Sequence, residues 1–262
     1  MDIRQHRHLA RVSGELLCLA CVALFAGCGG GGGGSGGGGG TSSLSMVALT
    51  GTAATGRALA NATVTINCAQ GSTSVTANAN GNYHATFGAA MPCLITASSA
   101  GTTLHSTAFA GGTYNITPET DLLLSYLAAQ LGTNESGLIA SFPGNSQFQQ
   151  VLANQVDVLG AETAVAQNLQ QTFGVTLSTP NFLTTPFTVG TAGQDSDLQA
   201  LLAHGAIDAN GEPAAAAVAP IATAGAAHPI ATPPATGTGG TGIGSIGGTG
   251  GMGSIGGVGG MM

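Results

Sequence analysis

The sequence predicts a β-sandwich of about seven short strands followed by a small α-helical segment, set between a glycine-rich linker and a disordered Ala/Pro/Gly-rich tail. Three observations predict it. From Met46 to Thr117, β-branched runs recur at roughly ten-residue spacing, parted by turn signals such as Asn80-Gly81-Asn82 and Gly111-Gly112. After Thr117 the apolar residues change to helical spacing. The 45 glycines and 10 prolines crowd towards the two ends of the 262-residue chain. The resulting organisation is 1–27, 28–45, 46–117, 118–208 and 209–262: leader, tether, sandwich, helical segment and tail.

Residues 1–28 begin with a basic head carrying Arg4, Arg7 and Arg11, followed by the apolar run Leu16 to Ala26. Eleven apolar residues are too few to span a bilayer as a helix, which takes about twenty. They suit the apolar part of a secretory signal. The run closes with Phe25-Ala26-Gly27-Cys28. This close resembles the lipobox of bacterial lipoproteins, with Phe25 where leucine is preferred. The resemblance implies cleavage after Gly27, diacylation of the Cys28 sulfur and acylation of its new amino group. An ordinary cleaved signal with an incidental cysteine is the alternative. Gly29, in place of the aspartate that retains such proteins at the inner membrane, implies the outer membrane. Residues 29–40 are glycine except for Ser35. Such a coil has a root-mean-square span of roughly 17–21 Å and holds a folded unit off the headgroups. Gly33-Gly34-Ser35-Gly36-Gly37 has the spacing of a nucleophile elbow, but that elbow needs a strand before it and a helix after it.

The strand candidates are Val47–Thr52, Ala62–Cys68, Thr73–Asn78, Tyr83–Phe87, Cys93–Ala97, Thr103–Phe109 and Tyr114–Thr117. Val64, Ile66 and Cys68 share one face, with Thr63, Thr65 and Asn67 on the other. The stretch TGTAATGRALANATVTI, followed by TANANGNYHATF, resembles the carboxypeptidase regulatory-like domain, a transthyretin-type β-sandwich. Gly56, Leu59, Ala62, Val64, Gly81, Tyr83 and Phe87 hold the matching roles, while Ala58 and Asn61 depart from the usual proline and glycine. The likeness covers about 70 residues. It implies a fold rather than an activity, since such domains are mostly accessory.

Of five cysteines, Cys18 and Cys21 fall in the leader and Cys28 in the lipobox, so Cys68 and Cys93 remain as a pair. An even remainder in an exported chain predicts a disulfide, stabilising by about 3–4 kcal/mol on the chain-entropy argument. Two buried thiols are the alternative. A metal site would also need His84 or His105, and no spacing brings them together.

Thr117-Pro118-Glu119 opens a helix, with Glu119 and Asp121 at its positive dipole end. Leu123, Leu124, Leu127, Ala128 and Leu131 continue it, and Gly132 ends it. A second helix is expected from Ser146 to Thr172 with a bend at Gly160, and a third after Asp195 or Ser196. The helices are expected to pack on the sandwich rather than form a separate domain. Beyond Pro213 alanine, proline and then glycine dominate, a composition that predicts disorder.

The chemistry-bearing residues are sparse. There is no lysine, which excludes a P-loop, a Schiff base and a kinase ion pair. Past residue 28 Arg57 is the only arginine, against nine carboxylates, which argues against nucleic-acid binding. His84, His105, His204 and His228 show no ligand spacing. Asp208-Ala209-Asn210-Gly211 lacks the later carboxylate of a calcium loop and predicts a turn, and Asp195 predicts a helix cap. Glu119 and Asp121, two apart, point to different sides of a helix. Asn61, Asn115 and Asn134 match glycosylation acceptors, which a bacterial leader makes irrelevant. No catalytic residue, cofactor or metal is expected. The expected protein is a non-enzymatic, lipid-anchored envelope component with a structural or protein-interaction role, its partners the membrane and an envelope protein or glycan. A carbohydrate-binding accessory module is the alternative.

Overall fold

Strand pairing accounts for most of the backbone between residues 46 and 113 of the computed structural model, which describes residues 44–230. The leader, Cys28, the tether and the glycine-rich end beyond Ile230 lie outside the described residues. Seven strands form: β1 (Met46–Thr52), β2 (Thr63–Gln70), β3 (Ser72–Thr76), β4 (Asn82–Gly88), β5 (Ala90–Ser99), β6 (Thr102–Ala108) and β7 (Gly112–Thr113). They make two sheets in a sandwich-like arrangement, one ordered β4-β1-β7 and the other β3-β2-β5-β6. Every pairing is antiparallel except β1 with β7. In β2 the alternation holds, with Val64, Ile66 and Cys68 buried and Thr63 and Asn67 exposed. Cys68 lies opposite Cys93 on β5, and the two form a disulfide between neighbouring strands of one sheet.

The last strand differs from expectation. Ladder pairing falls on Gly112–Thr113 rather than Tyr114–Thr117. Residues 114–116 nevertheless continue alongside β1, through Tyr114 N–H to Thr50 C=O and Ile116 N–H to Thr52 C=O. Regular pairing lapses there because Thr52 N–H goes to the Asn115 side-chain oxygen at 3.3 Å and the Tyr114 carbonyl accepts from the Tyr83 hydroxyl at 2.6 Å, while Asn115 N–H donates to Leu183 C=O at 2.8 Å.

Among the described residues there are six α-helices. They are α1 (Pro118–Gln130), α2 (Glu135–Ser141), α3 (Ser146–Ala153), α4 (Gln155–Phe173), α5 (Gln194–Ala203) and α6 (Ala215–Ala226). Thr117 caps α1 in a reciprocal box with Thr120. All residues from Pro118 to Ala128 are buried, so α1 is a central helix rather than one with a single apolar stripe. The expected Ser146–Thr172 helix is two. Asn154 leaves helical geometry (ψ 102°) and its side chain accepts from Val156 N–H, restarting the chain as α4. Gly160 lies within α4.

The assignment of all residues from 209 onwards to a disordered tail is corrected. Residues 215–226 form α6, with Ala217, Ile221 and Gly225 buried. Small residues permit this: a Cβ on Gly225 would meet the Tyr126 carbonyl oxygen and Ala129 of α1. Close approach gives an alanine-rich helix the burial that its composition alone does not promise.

The sheets and helices belong to one compact unit. One junction between them is the outer edge of β6, whose outward backbone groups need partners. Thr103 N–H donates to Glu212 Oε1 at 2.8 Å and His105 N–H to Asp121 Oδ1 at 2.7 Å. Thr120 Oγ1 donates to His105 C=O at 2.7 Å. Helix α1 and the turn before α6 thus occupy the place of an eighth strand.

Gly225→Ala tests the α1–α6 contact. Helix propensity favours alanine by about 1 kcal/mol, whereas the clash with backbone costs about 1–3 kcal/mol. The expected net result is destabilisation in urea unfolding and faster proteolysis within residues 209–230. A gain in stability would show that α6 does not approach α1 this closely.

Candidate functional site

His105 alternates on β6 with buried Leu104 and Ser106, so its ring leaves the sandwich interior and meets the helices. Asp121 comes from the first turn of α1, where it also serves the edge backbone. Glu135 is the first residue of α2, placed there by Asn134, whose side chain caps that helix by accepting from Gly137 N–H. The Ser125 hydroxyl donates to Glu135 Oε2 at 2.6 Å. This holds the other oxygen, Oε1, 3.1 Å from His105 Nδ1, while Asp121 Oδ1 lies 2.8 Å from the same nitrogen. One Nδ1 hydrogen cannot satisfy two carboxylates. Glu135 Oε1 is within ion-pair distance yet buried with no directed hydrogen bond.

Burial favours neutral His105, but the hydrogen bond to Asp121 and the close Glu135 carboxylate overcome it and raise the ring to about 9. Burial raises Asp121 to about 7 against the opposing pull of His105, with the Glu135 charge adding to the rise. Glu135 is lowered: burial works against ionisation, and the nearby His105 and Asp121 together with the Ser125 hydroxyl outweigh it. The three groups border a surface hollow of about 310 Å³ that also reaches Ser136 and Glu212. The arrangement offers one imidazole nitrogen and two carboxylate oxygens from three separate elements to a shared proton or a cation. A larger hollow of about 620 Å³ lies between Arg57 and Thr102 but gathers no titratable group besides Arg57.

A second buried polar network ties residues 178–194 to the sheet. Asn115 Nδ2 reaches Phe182 C=O, Thr185 C=O and Gln194 Oε1 at 2.7–3.2 Å, and Gln194 Nε2 donates to Glu119 Oε2 at 2.9 Å. Glu162 Oε1 accepts from Leu183 N–H at 2.6 Å. Burial raises Glu119 to about 8, reinforced by the Asp197 and Glu162 charges and opposed by Gln194 and Thr117. Burial likewise raises Glu162 to about 7, opposed by the Leu183 N–H.

Other sequence candidates separate. Glu119 and Asp121 do point to different partners, Gln194 and His105. His84 lies on β4 beside Thr86, away from the His105 cluster, and neither ring joins the Cys68–Cys93 bridge. Asp195 does not cap α5, whose cap position is Gly193. Instead Asp195 accepts from Gly190 N–H, and Asp197 accepts from the Ser178 and Thr179 backbone. Asp208 forms the expected turn by accepting from Asn210 and Glu212 N–H. Tyr83, Tyr114 and Tyr126 are all buried. Cys28 and the Gly33–Gly37 match lie outside the described residues.

The His105–Asp121–Glu135 group is not visible as a motif. Asn134, two residues after the helix stop at Gly132, is a capping signal for α2 that sequence reasoning passed over. Convergence on His105 depends on α1 covering one edge of the sheet. No family model, curated protein or solved structure matches the chain.

Two expectations follow. Asp121→Ala leaves the His105 backbone N–H without an acceptor and removes the nearer of the two carboxylates facing its ring, and should cost about 2–4 kcal/mol in urea unfolding. Asp121→Asn keeps an acceptor for that N–H and should cost clearly less; equal losses would refute edge capping. Because Glu162 is raised from 4.5 to about 7, its neutral form favours folding. The contribution is complete below about pH 4.5 and lost as pH climbs through about 7. Glu162→Gln should remove that loss, so its melting temperature relative to wild type should rise between pH 4.5 and 8. A constant difference across that window would refute the shift.

Proposed function

We propose that this chain is a non-enzymatic lipoprotein of the cell envelope, anchored through acyl chains on Cys28 and displaying its folded unit on residues 29–40. The observation that carries the reading is the order basic head, apolar run and Phe25-Ala26-Gly27-Cys28. Each buried methylene contributes about 0.8 kcal/mol, so several acyl chains hold where one does not. The Cys68–Cys93 bridge supports passage through an oxidising compartment. Gly29 favours the outer membrane as the destination. No helix among the described residues is long and apolar enough to cross a membrane, so under this reading the lipid supplies the attachment.

Within the pair of sheets, the proposed finer identity is the carboxypeptidase regulatory-like, transthyretin-type sandwich. Its matching positions Leu59, Ala62, Val64 and Tyr83 are buried, as that identity requires. The unit's role is structural or protein-contacting. Sugar sites commonly offer exposed aromatic faces, and burial of the three tyrosines weighs against the carbohydrate-binding alternative.

Labelling of expressing cells with palmitate should mark the wild-type chain and not Cys28→Ser. The variant should also move from the membrane to the soluble fraction. An unlabelled wild-type chain, or unchanged fractionation of the variant, would refute the anchor.

A further inference from the structure

We infer that His105, Asp121 and Glu135 form a binding site for a six-coordinate divalent transition-metal ion, held through His105 Nδ1, one Asp121 oxygen and Glu135 Oε1. This inference is independent of lipid anchoring. Three observations carry it.

The first is spacing. The prospective ligand atoms all lie within 4.8 Å of one another. The two distances from Nδ1 are 2.8 and 3.1 Å. Bonds of about 2.1 Å place neighbouring ligands about 3.0 Å apart in an octahedron and about 3.4 Å apart in a tetrahedron. Both edges from Nδ1 are nearer the octahedral value. One imidazole with two carboxylates suits manganese, iron or cobalt in the divalent state better than an all-oxygen magnesium or calcium site.

The second is an incomplete internal balance. Nδ1 can donate one hydrogen, yet two carboxylates face it, and Glu135 Oε1 is buried without a hydrogen bond. A cation of charge +2 in place of that hydrogen meets neutral imidazole and two carboxylates, so the charges cancel and Glu135 Oε1 gains a partner. The backbone N–H of His105 on Asp121 leaves that carboxylate an oxygen lone pair for the ion.

The third is the supporting shell and access. Ser125 fixes Glu135 through Oε2, and His105 N–H fixes Asp121, so both carboxylates are oriented before any ion arrives. The hollow of about 310 Å³ beside them gives a path for entry and room for water in the remaining positions. Glu212 lines the same hollow and adds attraction for cations.

Full-length protein in detergent, titrated with Mn²⁺, tests the site by loss of the free-ion electron paramagnetic resonance signal. One ion per chain is expected, with affinity falling more than about tenfold in Asp121→Asn and in Glu135→Gln. Because either variant could lose its fold, a second measurement uses the unaltered chain. Substoichiometric Mn²⁺ should broaden the His105 ring resonances by NMR before those of His84, His204 and His228. Absence of binding up to about 1 mM, equal affinity in folded variants, or first broadening at another histidine would overturn the site. The cluster would then be an ion-paired tie between β6 and the two helices.

Discussion

The outward edge of β6 is the constraint on which the rest of the molecule depends. An edge strand exposes backbone groups that must be paired, solvated or covered. Here Asp121 and Glu212 take the N–H groups of His105 and Thr103, and Thr120 takes the His105 carbonyl. These side chains come from α1 and from the turn just before α6. Meeting the demand of the edge therefore fixes where two distant segments lie, and α1 becomes the helix on which α2, α4 and α6 pack. The segment near residue 212 is ordered by the same contact.

A chain with so few cations must solve burial of carboxylates in other ways. Arg57 is the sole lysine or arginine after residue 28, and no ion pair among the described residues involves it. The buried acids instead meet amides, hydroxyls and backbone N–H groups, as Glu119 does with Gln194 and Glu162 with Leu183. Such partners only partly repay lost hydration, which is why both pKa values stay raised. His105 is different: it faces two carboxylates at once, and together they overcome its own burial. Proton or ion occupancy has most to act on at this point.

Much of the β unit was legible because strand periodicity is local. The buried series Val64, Ile66 and Cys68 could be read off directly, as could the opening of α1 at Thr117-Pro118. The break at Asn154 was missed because an asparagine between two helical patterns can face solvent or cap, and the pattern alone does not decide. Helix α6 was missed for another reason. Its stabilisation comes from the close approach of Gly225 to Tyr126, a contact between residues about a hundred positions apart. The candidate site was the least legible, since His105, Asp121 and Glu135 follow one another at intervals of 16 and 14 residues with no motif spacing.

The sequence alone determined the strand pattern, the pairing of the two cysteines left in the folded part and the scarcity of positive charge. Each depends on composition or on neighbours a few residues away. Tertiary structure decided which acids became buried, which alanine-rich stretch became a helix and which histidine met two carboxylates. Those outcomes depend on α1 crossing the open side of β6, and backbone groups along that side need partners that short-range sequence does not specify.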